Sequence, residues 1–136
     1  MYEKHWRKVR LSNMTINEYQ KEALRTEPTR QKSAQWGDWV EPHQWRMQLE
    51  NGLMGLNGEA GEAIDLLKKH LFQGHPLDRE HLAKELGDVA WYLAVSADAL
   101  GYTLEEVLEM NVSKLRARYP EGFEVERSLS RKMGDV

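Results

Sequence analysis

Apolar positions recur along this chain at three- and four-residue intervals, and proline and glycine cut the runs into segments. Thr15-Ile16-Asn17-Glu18 has the form of a capping box, in which Thr15 accepts from the Glu18 amide and Glu18 reaches back. Ile16, Tyr19, Ala23 and Leu24 follow at helical spacing and predict a first helix over 15–26. Residues 27–45 form a connector rich in Trp, Pro, Gly and polar residues. A second helix is expected over 45–72, ended by Gly74 and Pro76. Asp78 is the expected cap of the third helix, with Leu77 and Leu82 spaced as a hydrophobic staple, and Gly101 closes it. Thr103-Leu104-Glu105-Glu106 is a second capping box; it opens a fourth helix that should stop near Tyr119-Pro120. No strand alternation is convincing. The expected fold is all-α, a bundle of four main helices over 14–123. A basic arm over 1–13 precedes it and a polar, loose tail over 124–136 follows. The arm is either a docked segment or an extension upstream of a start at Met14.

At 136 residues, 40% hydrophobic and 30% charged, the chain has the size of one domain with a modest core. The heavy charge leaves room for a second buried face at a subunit interface. The absence of cysteine excludes disulfides, thiolate zinc and a thiol nucleophile. No apolar run approaches the roughly 20 residues of a membrane span. Residues Met1 to Lys8 lack the apolar stretch of a signal peptide, so a cytoplasmic setting is expected. The net charge of -3 argues against a nucleic-acid polymer as partner.

On a helical wheel of the second helix, Leu53, Leu56, Ala60, Ile64, Leu67 and Leu71 cluster on one side. Asp65, Lys68 and Lys69 fall toward solvent. Glu59 and Glu62 occupy a third side with Gly55 and Leu66. In the third helix, Leu82, Leu86, Ala90, Leu93, Ala97 and Leu100 form the stripe, and Glu85 and Asp88 share a flank with Tyr92. The two acidic pairs have the same offset from their stripes. One Glu-x-x-Glu alone is usually a solvated face; two at equal phase, on helices that could lie antiparallel, can converge. Such like charges repel unless a cation compensates. Oxygen-only ligands suit a hard divalent ion, Mg²⁺ or Mn²⁺. A di-iron bundle would need Glu-x-x-His on two helices, and the sequence has none.

The fourth helix carries the opposite charge. Beside its stripe of Leu104, Leu108, Val112, Leu115 and Tyr119 runs a row of Asn111, Lys114 and Arg118. An amide, an ammonium and a guanidinium in one row make a candidate phosphate cradle, although surface residues would look the same. Trp36, Trp39 and Trp45 crowd the connector; they could stack on a nucleobase or simply pack. The five histidines form no i,i+4 pair of the zinc-enzyme type, and His70 and His75 look like residues of the Gln73-Gly74 turn. Neither a Gly-x-x-x-x-Gly-Lys loop nor a nucleophile elbow is present.

Glu59-x-x-Glu62 followed by Glu85-x-x-Asp88 resembles the acidic signature of the MazG-like all-α nucleoside triphosphate pyrophosphohydrolases. Gly58-Glu59-Ala60-Gly61-Glu62, Glu85-Leu86-Gly87-Asp88-Val89-Ala90-Trp91-Tyr92-Leu93, and Asn111 to Arg118 with Tyr119-Pro120-Glu121-Gly122-Phe123 carry the likeness. The resemblance implies hydrolysis of a nucleoside triphosphate to monophosphate and pyrophosphate, cleaning or balancing nucleotide pools. It implies that Glu59, Glu62, Glu85 and Asp88 bind Mg²⁺, that one of them, with Glu62 favoured, orients water, and that Asn111 and Lys114 hold the nucleotide. Arg118 is a looser transfer, and the tryptophans Trp36 and Trp39 give no safe base specificity. Dimers or tetramers are expected. Two other functions remain open: a non-catalytic helical interaction or regulatory module, and a phosphoribosyl-ATP-type pyrophosphohydrolase.

Overall fold

The computed structural model describes residues 13–30 and 43–130. The capping box forms: Thr15 Oγ1 accepts from the Glu18 amide at 3.2 Å, and the Thr15 amide donates to Glu18 Oε2 at 2.7 Å. Helix α1 spans Ile16–Leu24, slightly shorter than expected, and a 3-10 turn follows at Pro28–Arg30. Helix α2 runs Gln44–Gln73 and ends at Gly74, whose φ of 74° lies in the left-handed region open to glycine. His70 Nδ1 lies 2.8 Å from the His75 carbonyl across this turn, the local role expected of both histidines. Helix α3 is Arg79–Ala99, with the Asp78 side chain accepting from the His81 amide at 2.9 Å. Helix α4 is Leu104–Arg118. The segment expected to be a loose tail instead contains a five-residue helix α5, Val125–Leu129, beside which Arg127 Nε donates to Glu124 Oε2 at 2.7 Å. The fold is all-α, with no strand among the described residues. None of the described helices is long and apolar enough to cross a membrane.

The chain divides into two compact units, one ending at Leu104 and one beginning at Glu105. In the first, α2 and α3 form an antiparallel hairpin. Gln48 Nε2 donates to the Val95 carbonyl at 3.1 Å and to Asp98 Oδ2 at 2.7 Å near the start of α2. Further along, Gly52 lies against Ser96 and Gly55 against the ring of Tyr92. A β-carbon at Gly52 would sit 2.3 Å from Ser96 Oγ and 3.3 Å from the Ser96 backbone nitrogen, so the glycines permit a close approach that a side chain would crowd.

The side of α2 that packs on α3 is therefore not the leucine stripe. It is the Gln48–Gly52–Gly55–Glu59 side, which hydrophobicity alone could not assign. The stripe lies open instead: Leu53 is 50% exposed, Ile64 67% and Leu71 61%. Leu86 on α3 and Leu100 at its C-cap are likewise exposed.

Helix α1 docks on α3 around a small core of Ala23, Ala94 and Leu104, flanked by Tyr19 and Trp91. The Trp91 indole donates to the Ala23 carbonyl at 3.0 Å and to Thr26 Oγ1 at 2.9 Å. Buried Gln20 joins three segments: its amide donates to the carbonyls of Ala94 at 3.1 Å and Tyr102 at 3.4 Å, and its Oε1 accepts from the Leu104 amide at 2.9 Å. Gln20→Ala leaves these buried groups without their partner and should cost about 1–3 kcal/mol. Denaturant titration should register the loss; an unchanged midpoint would refute the role given to Gln20.

Candidate functional site

The antiparallel crossing carries the two acidic motifs to one place. Ligand oxygens of Glu59, Glu85 and Asp88 lie within 4.8 Å of one another, with Glu85 buried, Glu59 half-buried and Asp88 exposed. Burial and the charges of Glu62, Asp88 and Glu85 raise the Glu59 carboxyl above its ordinary range, and a hydrogen bond with Glu85 adds to this. The protein thus holds three acids where their mutual repulsion already favours a proton on one. A divalent cation would relieve the same repulsion, and an all-oxygen set suits a hard one. The donor set therefore fits Mg²⁺ or Mn²⁺ in both charge and chemistry.

Glu62 is not part of this trio. It lines a cavity of about 420 Å³ with Gly58, Gly61, Lys69, His81 and Glu85. It shares that wall with the acids Asp65 and Glu85, and its charge still reaches Glu59. Asp65, expected toward solvent, is half-buried on the same wall. Hydrogen bonds from Lys68 and Lys69 hold its pKa at about 2. Lys69 Nζ lies 2.6 Å from Asp65 Oδ2. A second cavity, of about 360 Å³, is lined by Thr26, Glu59, Asp88, Trp91 and Tyr92. The rings of Trp91 and Tyr92 meet edge to face at 4.8 Å. One wall of the carboxylate cluster thus carries charges of both signs, the other is aromatic.

Two side chains in this region carry a role that the sequence motifs did not reveal. His81 Nε2 lies 2.8 Å from Glu85 Oε1, one helical turn away. The signal was a His-x-x-x-Glu spacing within α3, overshadowed by the search for paired histidines. Tyr19, expected only as a packing residue of α1, donates to the Gly87 carbonyl at 3.5 Å. Burial and the Asp88 charge raise its phenol pKa, so its hydroxyl stays protonated beside the carboxylates.

Asn111, Lys114 and Arg118 lie on α4 in the second unit; Asn111 and Lys114 are exposed and Arg118 is half-buried. Trp36 and Trp39 lie outside the described residues. Trp45 is on the first turn of α2 and is 55% exposed.

Residues 48–123 match the family model of the MazG nucleotide pyrophosphohydrolase domain. The chain is also similar to the "Gene 37 protein" of Mycobacterium phage L5, with 41% identity over 73 residues. That match covers 51% of this chain and 64% of the phage protein, so the chain spans less than two thirds of that relative. No solved structure matches.

Proposed function

This chain belongs to the MazG nucleotide pyrophosphohydrolase family, and on that footing we propose that it hydrolyses a nucleoside triphosphate to the monophosphate and pyrophosphate. The observation that carries the reading is the approach of Glu59, Glu85 and Asp88 to within 4.8 Å across two helices. Nothing in the folding of α2 and α3 calls for that approach, and repulsion opposes it. These three acids would hold Mg²⁺, or Mn²⁺ in its place, which would supply positive charge against the triphosphate and the departing pyrophosphate. Glu62, on the cavity wall beside Glu85, orients the water that attacks the α-phosphorus in line. Asn111, Lys114 and Arg118 hold the phosphates, and Trp36 and Trp39 contribute to the base site. The setting is cytoplasmic and the role is the cleaning or balancing of nucleotide pools.

Incubation with a panel of ordinary and modified nucleoside triphosphates and Mg²⁺ tests this reading. Monophosphate and pyrophosphate should appear in equal amounts. Orthophosphate as the first product, with no pyrophosphatase added, would overturn it.

The working form is a homodimer or homotetramer. The exposed Leu53, Ile64 and Leu71 on α2, with Leu86 on α3 and Leu100 at its C-cap, are the apolar area that a second copy would cover. Light scattering at micromolar concentration should give at least twice the chain mass; a monomer would contradict this.

A further inference from the structure

Glu85 is the most buried acid of the trio, its side chain retaining only 10% of its exposure. A buried carboxylate needs donors to offset the loss of water. One is His81, whose Nε2 approaches Glu85 Oε1 to 2.8 Å. A carboxylate oxygen accepts and does not donate, so the ring proton of this contact sits on Nε2. His81 is itself held: its backbone amide donates to Asp78 Oδ1 at 2.9 Å, fixing the turn from which the imidazole projects.

The position is a poor one for helix stability. His81 lies in the first turn of α3, where the helix dipole disfavours a cation. A basic residue preceding its acid by four is also the weaker order for a helical pair. Lys69, the other basic group on this cavity wall, is already paired with Asp65.

We propose that His81 is a positioning residue of the metal centre. Its Nε2–H fixes the plane of the Glu85 carboxylate, so that the remaining lone pairs converge with those of Glu59 and Asp88. The inference rests on reading the trio as a divalent-cation site. Asp78, His81 and Glu85 then form a chain of supports running from the cap of α3 to the ion.

The test is calorimetric titration of Mg²⁺ and Mn²⁺ into the metal-free full chain. Wild type is compared with His81→Ala, His81→Phe and His81→Gln. The two donor-free variants should bind either ion about 10- to 100-fold more weakly, the range for losing a hydrogen-bond partner of a metal ligand. His81→Gln keeps an N–H donor on a flexible stem and should stay within about threefold of wild type. The metal-free donor-free variants should melt lower than wild type, because buried Glu85 loses a donor; titrating well below every midpoint separates positioning from folding, and His81→Phe keeps ring volume if His81→Ala packs poorly. Wild-type affinity in the donor-free variants, or an equal loss in His81→Gln, overturns the positioning role and leaves the metal site standing. A wild-type chain that binds neither ion overturns the metal reading and this inference with it.

Discussion

Glu85→Gln should lower turnover by about a hundredfold or more while leaving the fold intact, as expected for loss of a key electrostatic group. Glu59→Gln, Glu62→Gln and Asp88→Asn should do the same. Each exchange keeps shape and removes one charge, from the trio itself or, for Glu62, from the acids whose charge raises Glu59. The metal-free variants should therefore melt at or above the wild-type temperature, the opposite of what removing a structural ion pair would do. Acidity gives this a sign. The Glu59 carboxyl titrates above its ordinary value of 4.5 in the fold, with burial the leading cause. The native state thus binds its proton more readily than the unfolded chain. Metal-free stability falls as pH rises from the unfolded value through the raised folded one. The advantage of Glu59→Gln over wild type should be full above that window and vanish below it. Full activity in all four variants, measured with saturating Mg²⁺, would remove the carboxylates from the chemistry.

Gly55→Ala should be nearly as damaging to activity, though it touches no charged group. A β-carbon there would lie 2.0 Å from Tyr92 Cε1 and 2.2 Å from Cζ. Cδ1 lies at 2.5 Å as well, so a whole edge of the ring is in the way, and either Tyr92 moves within the cavity it shares with Glu59 and Asp88 or the helices part. Overpacking of this kind costs roughly 1–3 kcal/mol, partly offset by about 1 kcal/mol of improved helix propensity. Activity should suffer more than stability. Glu59 is one turn along from Gly55, and a displacement near 1 Å of a catalytic group can cost about a hundredfold in rate. Gly58→Ala makes the stability comparison, since nothing outside its own stretch of helix lies within 4 Å of its β-carbon and only the propensity gain remains. A Gly55→Ala enzyme with wild-type turnover would show that the close crossing of α2 and α3 does not set the site.

Local signals were the most legible part of the sequence. Thr15 and Asp78 cap their helices as their spacing predicts, and Gly74 adopts the left-handed conformation that ends α2. The acidic pairs were legible because two helices repeat one pattern at one phase. The face on which α2 packs was not, because helix contact there is made by Gly52, Gly55 and Gln48 rather than by large apolar residues. A wheel weights leucines, and here the leucines lie on the other side. The separation of Glu62 from the other three acids depends on the crossing of α2 and α3, which no wheel contains. Gln20 was silent for a similar reason: its partners are carbonyls and an amide from segments more than 70 residues away. The five-residue α5 was hidden in a polar stretch too short for a periodic signal.

The carboxylate trio is carried wholly by the α2–α3 hairpin, across a connection of only Gly74 to Asp78. Glu59 and Glu85 are thus neighbours in sequence as contacts in folded proteins go, and closing the loop between them demands little entropy. Chains rich in such local contacts fold fast. The hairpin can therefore bring its two acidic motifs together without waiting for α1 to dock. A cation available while the chain folds would then bear on hairpin closure as well as on the folded protein.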